Sequence, residues 1–226
     1  MNHSKPQRVS QLQGRVTDVT EQADKMANNR DFWIDRNLYF HESDWDYLKI
    51  SVPPLSRVFE LGCGTGRLLA ALRPQFGIGI DLSRNSIKIA QEKYPQLEFR
   101  VGDIQQPQAF DNIPGPFNFI IISDTIGHLD DFQLVLENIR AVSDENTRVI
   151  VTYYSLLWRP VVRLASALRL MMPTPRRNWL STRDIVGILS LGNCEVIRTD
   201  TRQILPMRML GLGTLVNSSF GRLPGF

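Results

Sequence analysis

The sequence predicts an α/β protein built on an open, mainly parallel sheet with helices on both faces. Three observations carry this prediction. Short apolar runs alternate with helical patterns, a glycine-rich turn follows the first of those runs, and an acid follows the second. Alternating strands and helices of this kind form Rossmann-like parallel sheets, which bind ligands at the carboxyl ends of their strands. The functional site is therefore expected at that edge of the sheet.

The turn after the first predicted strand, Arg57–Leu61, holds three alternating glycines at Gly62, Gly64 and Gly66. Glycine takes positive φ and lets the backbone approach a ligand closely. A helix that starts behind such a turn directs its free N–H groups at the ligand. A dinucleotide-binding fold needs its third glycine at position 67, where this chain has Arg67. The arginine counts against a nicotinamide-dependent oxidoreductase, which is the rival enzyme class.

The pattern from Glu60 to Gly66 resembles motif I of the class I S-adenosylmethionine (SAM) methyltransferases. The resemblance implies that the backbone of Gly62, Cys63 and Gly64 lies against the amino-acid end of SAM. It also implies that the Glu60 carboxylate faces the ammonium group of SAM. The cofactor expected from this resemblance is SAM, and no metal site is expected.

Two further acids follow predicted strands. Asp81, followed by Leu82, ends the second strand and is placed to accept hydrogen bonds from both ribose hydroxyls. Asp103 follows the third strand, where it can accept from the adenine amino group while Ile104 lies against the ring. An aspartate that merely closes a turn is the alternative for Asp103. A glycine–aspartate pair at this spacing recurs in methyltransferases and is missing from dehydrogenases, so it favours the methyltransferase class.

The fourth strand, 117–123, is a continuous apolar run that ends at Ser123. Such a run is typical of a central parallel strand covered on both faces, and the reacting methyl group is therefore expected near residues 123–128. Ser123 is assigned to cofactor binding. His128 is the candidate general base because its ordinary pKa suits proton transfer near neutral pH. The alternatives are that His128 packs the 124–130 loop and that Asp124 orients the acceptor.

Composition limits the other possibilities. The chain has 226 residues, enough for one α/β domain, and 42% of them are apolar. A net charge of +3 is too mild to indicate nucleic-acid binding. The two cysteines, Cys63 and Cys194, lack metal-ligand spacing and suit a reducing cytosol. Neither a signal peptide nor a membrane-spanning run is recognisable, so the expected location is the cytoplasm.

The N-terminal third divides into two predicted parts. Residues 1–20 are polar without a steady period and are expected to form a flexible arm, which leaves residues 21–226 as a single domain. Residues 21–50 carry aromatic side chains among charged ones, in the position where methyltransferases place a helical flap over SAM. Arg36 and Tyr39 are the flap residues expected to contact the cofactor. Packing of the flap against the sheet is the alternative for most of its aromatic residues.

Residues 153–183 form a predicted helical insertion that is rich in arginine. Its helix has an apolar stripe on one side and three arginines on the other: Arg159, Arg163 and Arg169. The stripe either closes a lid over the substrate pocket or brings the helix to an anionic partner such as a membrane surface. Beyond it, Cys194–Leu205 is predicted as a sixth strand, and residues 206–226 contain no recognisable seventh strand.

Taken together, the segments Val58–Leu69, Gly79–Ser83, Val101–Ile104 and Phe117–Leu129 resemble motifs I to IV of the class I SAM-dependent methyltransferases. The flap, the insertion and the segment 178–181 are similar to a bacterial subgroup. In that subgroup the methyltransferase is often fused to, or encoded with, a family 2 glycosyltransferase. The resemblance implies methyl transfer to a small-molecule, saccharide or lipid-linked acceptor, with a glycosyltransferase as partner or fused domain.

The acceptor atom cannot be deduced, because oxygen, nitrogen and carbon acceptors share this scaffold. Apart from the oxidoreductase, one other class of function is left open. It is a SAM-binding module without catalysis that acts as the partner of a glycosyltransferase.

Overall fold

The computed structural model describes residues 5–154, 159–167 and 178–200. The elements follow one another along the chain as helices and strands with these bounds: α1 Lys5–Arg36, α2 Leu38–Ser51, β1 Arg57–Leu61, α3 Arg67–Leu72, β2 Phe76–Asp81, α4 Arg84–Lys93, β3 Glu98–Val101, β4 Phe119–Ser123, α5 Phe132–Ile139, β5 Arg148–Thr152, α6 Arg159–Ala167 and α7 Thr182–Leu191. A single-turn 3-10 helix, Ile126–His128, lies between β4 and α5.

The five strands form one sheet in the order β3-β2-β1-β4-β5, and every neighbouring pair is parallel. This confirms the predicted α/β fold with a parallel sheet. β1 is central, so that Glu60 lies beside Gly79 of β2 and Ile121 of β4. The carboxyl ends of β1, β2 and β4 therefore meet at one edge, where the glycine turn also begins.

Alternate residues of the strands enter cores on opposite faces of the sheet, as the period of two requires. On one face Phe59, Ile120 and Ile122 pack with α5 and with Ile185 of α7. On the other face Val58 and Ile121 pack with apolar side chains of α2, α3 and α4. Helices thus cover both faces, which explains why β4 is a continuous apolar run.

Short-range capping signals set several helix ends. The Ser83 hydroxyl accepts a hydrogen bond from the Ser86 N–H and so caps α4. At α7, Ser181 and Asp184 form a reciprocal capping box, and Gly192 follows as the C-cap.

Helix α1 continues through the segment predicted as a flexible arm, since residues 5–20 lie in the same helix as residues 21–36. The division into an arm and a single domain stays a prediction. The only proline in this helix, Pro6, lies in its first turn, where proline causes no loss of a helical hydrogen bond. The polar composition of the segment therefore did not prevent helix formation.

The predicted sixth strand is also corrected over its described part, since residues 194–200 form no strand. The Cys194 N–H donates to the Leu189 carbonyl at 2.9 Å, so the backbone turns back on α7. At the other end of this segment, the Tyr47 hydroxyl donates to the Asp200 carboxylate at 3.0 Å. Contacts with α7 and α2 hold this segment. The predicted loss of a seventh strand concerns residues 206–226, which lie outside the described residues.

The arginine-rich insertion contains α6 in its described part, and Arg169 lies outside that part. Val162 of α6 is buried, whereas Leu164 is 62% exposed. Leu164 belongs to the apolar stripe predicted from the sequence. In the part of the chain that the structure describes, the stripe is therefore exposed to solvent at this residue. Arg159 and Arg163 are also exposed. No helix of the described chain is long and apolar enough to cross a membrane.

Candidate functional site

The glycine turn is a left-handed backbone segment held by hydrogen bonds to β2. Gly62, Gly64 and Gly66 have φ values of 80°, 54° and 76°. The N–H groups of Gly62 and Cys63 donate to the Ile80 carbonyl at 2.7 Å and 3.0 Å. A Cβ at Gly62 would lie 2.2 Å from the Thr125 hydroxyl oxygen, so only glycine allows this close approach of the loop after β4.

Asp81 joins the glycine turn to the start of α4. Its Oδ2 accepts a hydrogen bond from the Gly64 N–H at 2.8 Å, and its Oδ1 accepts from the Ser83 N–H at 2.9 Å. A carboxylate has about four lone-pair positions, so two remain for a ligand. Leu82 lies half-buried between the two partners. The carboxylate is therefore fixed in orientation and retains acceptor capacity.

Glu60 is almost completely buried, with 3% of its surface exposed. Its Oε2 atom has no hydrogen-bond partner among the described residues. Burial raises the pKa of Glu60 to about 8, against the opposing effects of a Leu69 backbone hydrogen bond and the Arg30 charge. A buried carboxyl oxygen without a partner is costly, and a cationic ligand group would satisfy it.

The Cys63 side chain is turned toward the sheet and away from the open side of the turn. A Cβ at Gly79 of β2 would lie 2.7 Å from the Cys63 sulfur. Burial raises the pKa of the Cys63 thiol well above its ordinary value. Its expected part in cofactor binding is therefore confined to its backbone.

The loop after β3 is closed by side-chain hydrogen bonds. The Asp103 Oδ1 accepts from the Gln105 backbone N–H at 3.0 Å, which is the turn geometry weighed as the alternative for this residue. The Gln105 side-chain oxygen accepts from the N–H groups of Asp130 and Asp131, both at 2.9 Å. Ile104 is buried in the core. This loop is thus fastened to the N-terminus of α5.

At the carboxyl end of β4, the Ser123 and Thr152 hydroxyls form a hydrogen bond of 2.9 Å. Asp124 follows with a left-handed φ of 52°, and its N–H donates to the Thr152 carbonyl. Such a conformation is uncommon for a residue other than glycine, and it is concentrated at functional sites. His128 lies half-buried at the end of the 3-10 turn, where its N–H donates to the Thr125 carbonyl.

A cleft with a cavity volume of about 20 Å³ opens beside Asp124. We call it the aromatic cleft, and it is lined by Asp124, Ile126, Gly127, Tyr153, Tyr154, Asn178, Trp179 and Leu180. His128 is not among its described lining residues. The Tyr153 hydroxyl donates to the Thr182 hydroxyl at 2.8 Å. Asn178 donates from its backbone to Gly127 and from its side chain to Leu129. These bonds fix both walls of the cleft.

Comparison with known proteins identifies the family. Residues 24–199, more than half of the chain, match a family model described as a methyltransferase domain. The chain belongs to the methyltransferase domain family. An uncharacterised protein of Methanocaldococcus jannaschii is 25% identical over 131 residues. That match covers 57% of this chain and 58% of the relative, so the chain spans little more than half the length of the relative.

Solved methyltransferases share the fold of this methyltransferase. A SAM-dependent methyltransferase of Thermotoga maritima has a TM-score of 0.66 and 18% identity, and the match covers 83% of this chain and 87% of the other. Magnesium protoporphyrin IX methyltransferase of Synechocystis, solved with bound S-adenosylhomocysteine, has a TM-score of 0.63 and 20% identity. That match covers 82% of this chain and 92% of the other. Residues 24–199 form a methyltransferase domain, and the chain has the fold of these SAM-dependent methyltransferases.

The residues of the site suit SAM. Glu60 offers an ammonium group the carboxyl oxygen that has no hydrogen-bond partner among the described residues, and Asp81 retains acceptor capacity for hydroxyls. When bound, SAM supplies a methyl group on a positively charged sulfur. The methyltransferase has to position the reactants and exclude water, because the methyl group is intrinsically reactive.

The predicted flap corresponds to α1 and α2, which meet at Asn37. Arg36 is exposed, and its guanidinium lies 5.5 Å from the centroid of the Trp33 ring. Tyr39 is half-buried on α2. The contacts of these two residues with the cofactor stay predictions.

Three residues near the glycine turn were missed by the sequence analysis. Arg30 of α1 lies over Gly64, since a Cβ there would be 2.6 Å from the Arg30 Nε. Asp31 accepts a hydrogen bond of 2.7 Å from the Thr65 hydroxyl. Thr125 contacts Gly62 and donates to the Ser123 carbonyl. Three of the five acids of α1, at positions 24, 31 and 35, recur at helical spacing and were a signal that this helix has a polar partner.

Proposed function

We propose that this methyltransferase transfers the methyl group of SAM to a hydroxylated ring acceptor, a saccharide or a lipid-linked saccharide, bound in the aromatic cleft. One observation carries the proposal: the cleft joins three aromatic side chains to a carboxylate at the carboxyl ends of β4 and β5. In a sheet of this kind, ligands bind at those ends.

The lining residues support an acceptor with both apolar faces and polar groups. Tyr153, Tyr154 and Trp179 offer flat apolar surfaces on which a sugar ring can stack. Asp124 offers a carboxylate that accepts a hydrogen bond from an acceptor hydroxyl and so orients its oxygen. His128 stays a prediction as general base, and Asp124 is proposed for orientation.

The experiment is a methyl-transfer screen with labelled SAM. The panel holds free saccharides, polyprenyl-phosphate-linked saccharides, and small phenols and amines without a sugar. Label is expected on the saccharide members. Transfer only to phenols or amines would contradict the acceptor class. Cofactor binding without transfer to any member would instead identify a SAM-binding module without catalysis.

Variants connect the activity to the cleft. Trp179→Ala is expected to raise the acceptor KM, while Trp179→Phe retains most of the stacking surface. Asp124→Asn is expected to lower kcat if the carboxylate orients the acceptor. Binding of S-adenosylhomocysteine is the control and stays unchanged in all three variants. An unchanged acceptor KM in Trp179→Ala would show that the acceptor binds outside the aromatic cleft.

The sequence resemblance further supports a family 2 glycosyltransferase as partner or fused domain, and we propose this association on that ground. Co-purification with a glycosyltransferase encoded beside it, in comparison with an unrelated one, is the test. The expected location on this proposal is the cytoplasm, at the membrane surface.

Helix α6 supports the membrane-surface location. It exposes Arg159 and Arg163 beside the exposed side chain of Leu164, and helices with such surfaces lie in membrane interfaces. Co-sedimentation with anionic vesicles is expected to be salt-sensitive and to fall in the double variant Arg159→Gln, Arg163→Gln. The double variant Lys25→Gln, Arg148→Gln removes the same charge elsewhere and is the control. Absence of binding to anionic vesicles would leave α6 as a lid.

A further inference from the structure

Two hydrogen bonds from Asn178 hold the backbone on either side of His128. The Asn178 backbone N–H donates to the Gly127 carbonyl at 2.7 Å, and its side-chain amide donates to the Leu129 carbonyl at 2.8 Å. A backbone carbonyl only accepts hydrogen bonds, so the nitrogen of the amide has to face Leu129. Because the partners of the second bond are 49 positions apart in the sequence, this contact depends on the tertiary fold.

The turn that carries His128 is otherwise held by its own backbone and by two buried side chains. The His128 N–H donates to the Thr125 carbonyl at 2.9 Å, and the Leu129 N–H donates to the Ile126 carbonyl at 3.3 Å. Ile126 and Leu129 are buried in the same core cluster as the apolar side of α5. Asn178 is itself exposed, so its two bonds hold the turn in a way that core packing does not.

Asn178 also connects two walls of the aromatic cleft. Gly127, whose carbonyl it binds, lines the cleft from the loop after β4. Trp179, the next residue along the chain, lines the cleft from the segment before α7. Loss of the side-chain hydrogen bond would therefore loosen the turn of His128 and allow the wall that carries Trp179 to shift relative to it.

We propose that Asn178 is a positioning residue for methyl transfer, which holds the turn of His128 and the wall of Trp179 in one arrangement around the acceptor. The inference rests on the proposed function, because that proposal places the acceptor in the aromatic cleft. Reacting groups have to be held near their productive geometry, and a misplacement of about 1 Å can cost on the order of 100-fold in rate. Asn178 is the first residue of the segment 178–181, for which the sequence resemblance implied no role.

The first measurement is amide hydrogen exchange in Asn178→Leu, a variant that retains the approximate size of the side chain and removes its hydrogen-bonding groups. The N–H groups of His128 and Leu129 are expected to exchange about 2- to 10-fold faster, as loss of one hydrogen bond implies. Asn85→Leu is the matched control. Asn85 is also exposed, and its side-chain amide donates to the Asp24 carbonyl at 3.2 Å. Exchange at positions 128 and 129 is expected to be unchanged in the control.

The second measurement is methyl transfer to whichever member of the acceptor panel takes the label. In Asn178→Leu, kcat is expected to fall by about 10- to 100-fold, while the affinity for S-adenosylhomocysteine stays unchanged. Trp179→Ala is expected to raise the acceptor KM instead. Loss of positioning and loss of stacking surface therefore change different kinetic constants.

Unchanged exchange at positions 128 and 129 in Asn178→Leu would overturn the proposal. Faster exchange with an unchanged kcat would overturn it as well, because the hydrogen bond would then support the fold alone. Label on phenols or amines in the wild-type protein would contradict only the saccharide acceptor, since the variants are compared on the acceptor that takes the label. Transfer to no member of the panel would contradict both proposals.

Discussion

The Thr65 hydroxyl donates a 2.7 Å hydrogen bond to the Asp31 carboxylate, which fastens the long helix α1 to the glycine turn. Asp31 also forms an ion pair with Lys93 of α4. Burial alone would raise the pKa of Asp31. Hydrogen bonds from Lys93 and Thr65 oppose this effect and leave the pKa below its ordinary value. One carboxylate of α1 thus connects two helices that flank the cofactor site.

Asp31→Asn is expected to lower the free energy of unfolding by about 1–3 kcal/mol, because a half-buried, charge-assisted contact is lost. Asp35→Asn is the matched control. Asp35 is an exposed acid on the same helix that pairs with Arg67 at 2.7 Å, and exposed ion pairs contribute about 1 kcal/mol or less. Urea unfolding of both variants measures the difference. Equal losses would mean that α1 is not fastened through Asp31.

Glu60 is expected to make stability depend on pH. Its folded-state pKa of about 8 lies above the ordinary value of 4.5, mainly through burial and against the charge of Arg30, while Asp81 raises it further. Between these two values the folded protein binds a proton that the unfolded chain releases, so stability falls as pH rises. Glu60→Gln removes this slope. Thermal unfolding as a function of pH compares the two proteins, and parallel curves would contradict the assignment.

The same proton is expected to appear in cofactor binding. An ammonium group beside Glu60 favours the ionised carboxylate, so binding of S-adenosylhomocysteine releases a proton below a pH of about 8. Affinity therefore rises with pH and levels off above that value. Calorimetry in buffers of different ionisation enthalpy counts the protons directly. Proton uptake on binding would show that Glu60 does not face the ammonium group.

Asp81→Ala is expected to weaken S-adenosylhomocysteine binding by about 1.5–3 kcal/mol for each lost hydrogen bond to the charged group. Its carboxylate also holds the Gly64 N–H at 2.8 Å, so the glycine turn loses a tether in this variant. Asp111→Ala removes an exposed acid on the loop after β3 and serves as the control. Unchanged affinity in Asp81→Ala would place the ribose elsewhere.

Alanine substitutions at two glycines are expected to change the stability of the fold in opposite directions. Gly62→Ala puts a Cβ 2.2 Å from the Thr125 hydroxyl oxygen at a φ of 80°, and it is expected to destabilise the fold by about 1–3 kcal/mol. Gly187→Ala lies within α7 and meets no atom within 4 Å. There alanine is expected to stabilise by about 0.5–1 kcal/mol. Differential scanning calorimetry reports both changes, and stabilisation by Gly62→Ala would refute the described turn.

The residues that could be predicted from the sequence are those fixed by local spacing. Glu60, Gly62, Asp81 and Asp103 follow their strands at short, regular distances, so their meeting at one sheet edge follows from the parallel topology. Arg30 could not be found in this way, because its place over Gly64 depends on how α1 packs across the sheet. The contacts around Arg30 are tertiary contacts, which do not follow from sequence spacing.

The incorrect prediction of a sixth strand likewise reflects tertiary contacts that sequence spacing does not reveal. The β-prone residues after Cys194 favoured a sixth strand, but hydrogen bonds to α7 and the contact of Asp200 with Tyr47 hold this segment differently. Intrinsic preference for a strand is weak relative to such contacts. Likewise, the polar composition of residues 5–20 favoured an arm, whereas the structure continues α1 through them.

The aromatic cleft meets the glycine turn at the loop after β4, where Thr125 contacts Gly62 and the neighbouring residues 124, 126 and 127 line the cleft. Its other walls come from Tyr153 and Tyr154 after β5 and from residues 178–180 before α7, whereas most of the predicted cofactor residues lie in residues 60–104. Substitutions in the two walls can therefore alter which acceptor is methylated without disturbing the donor side.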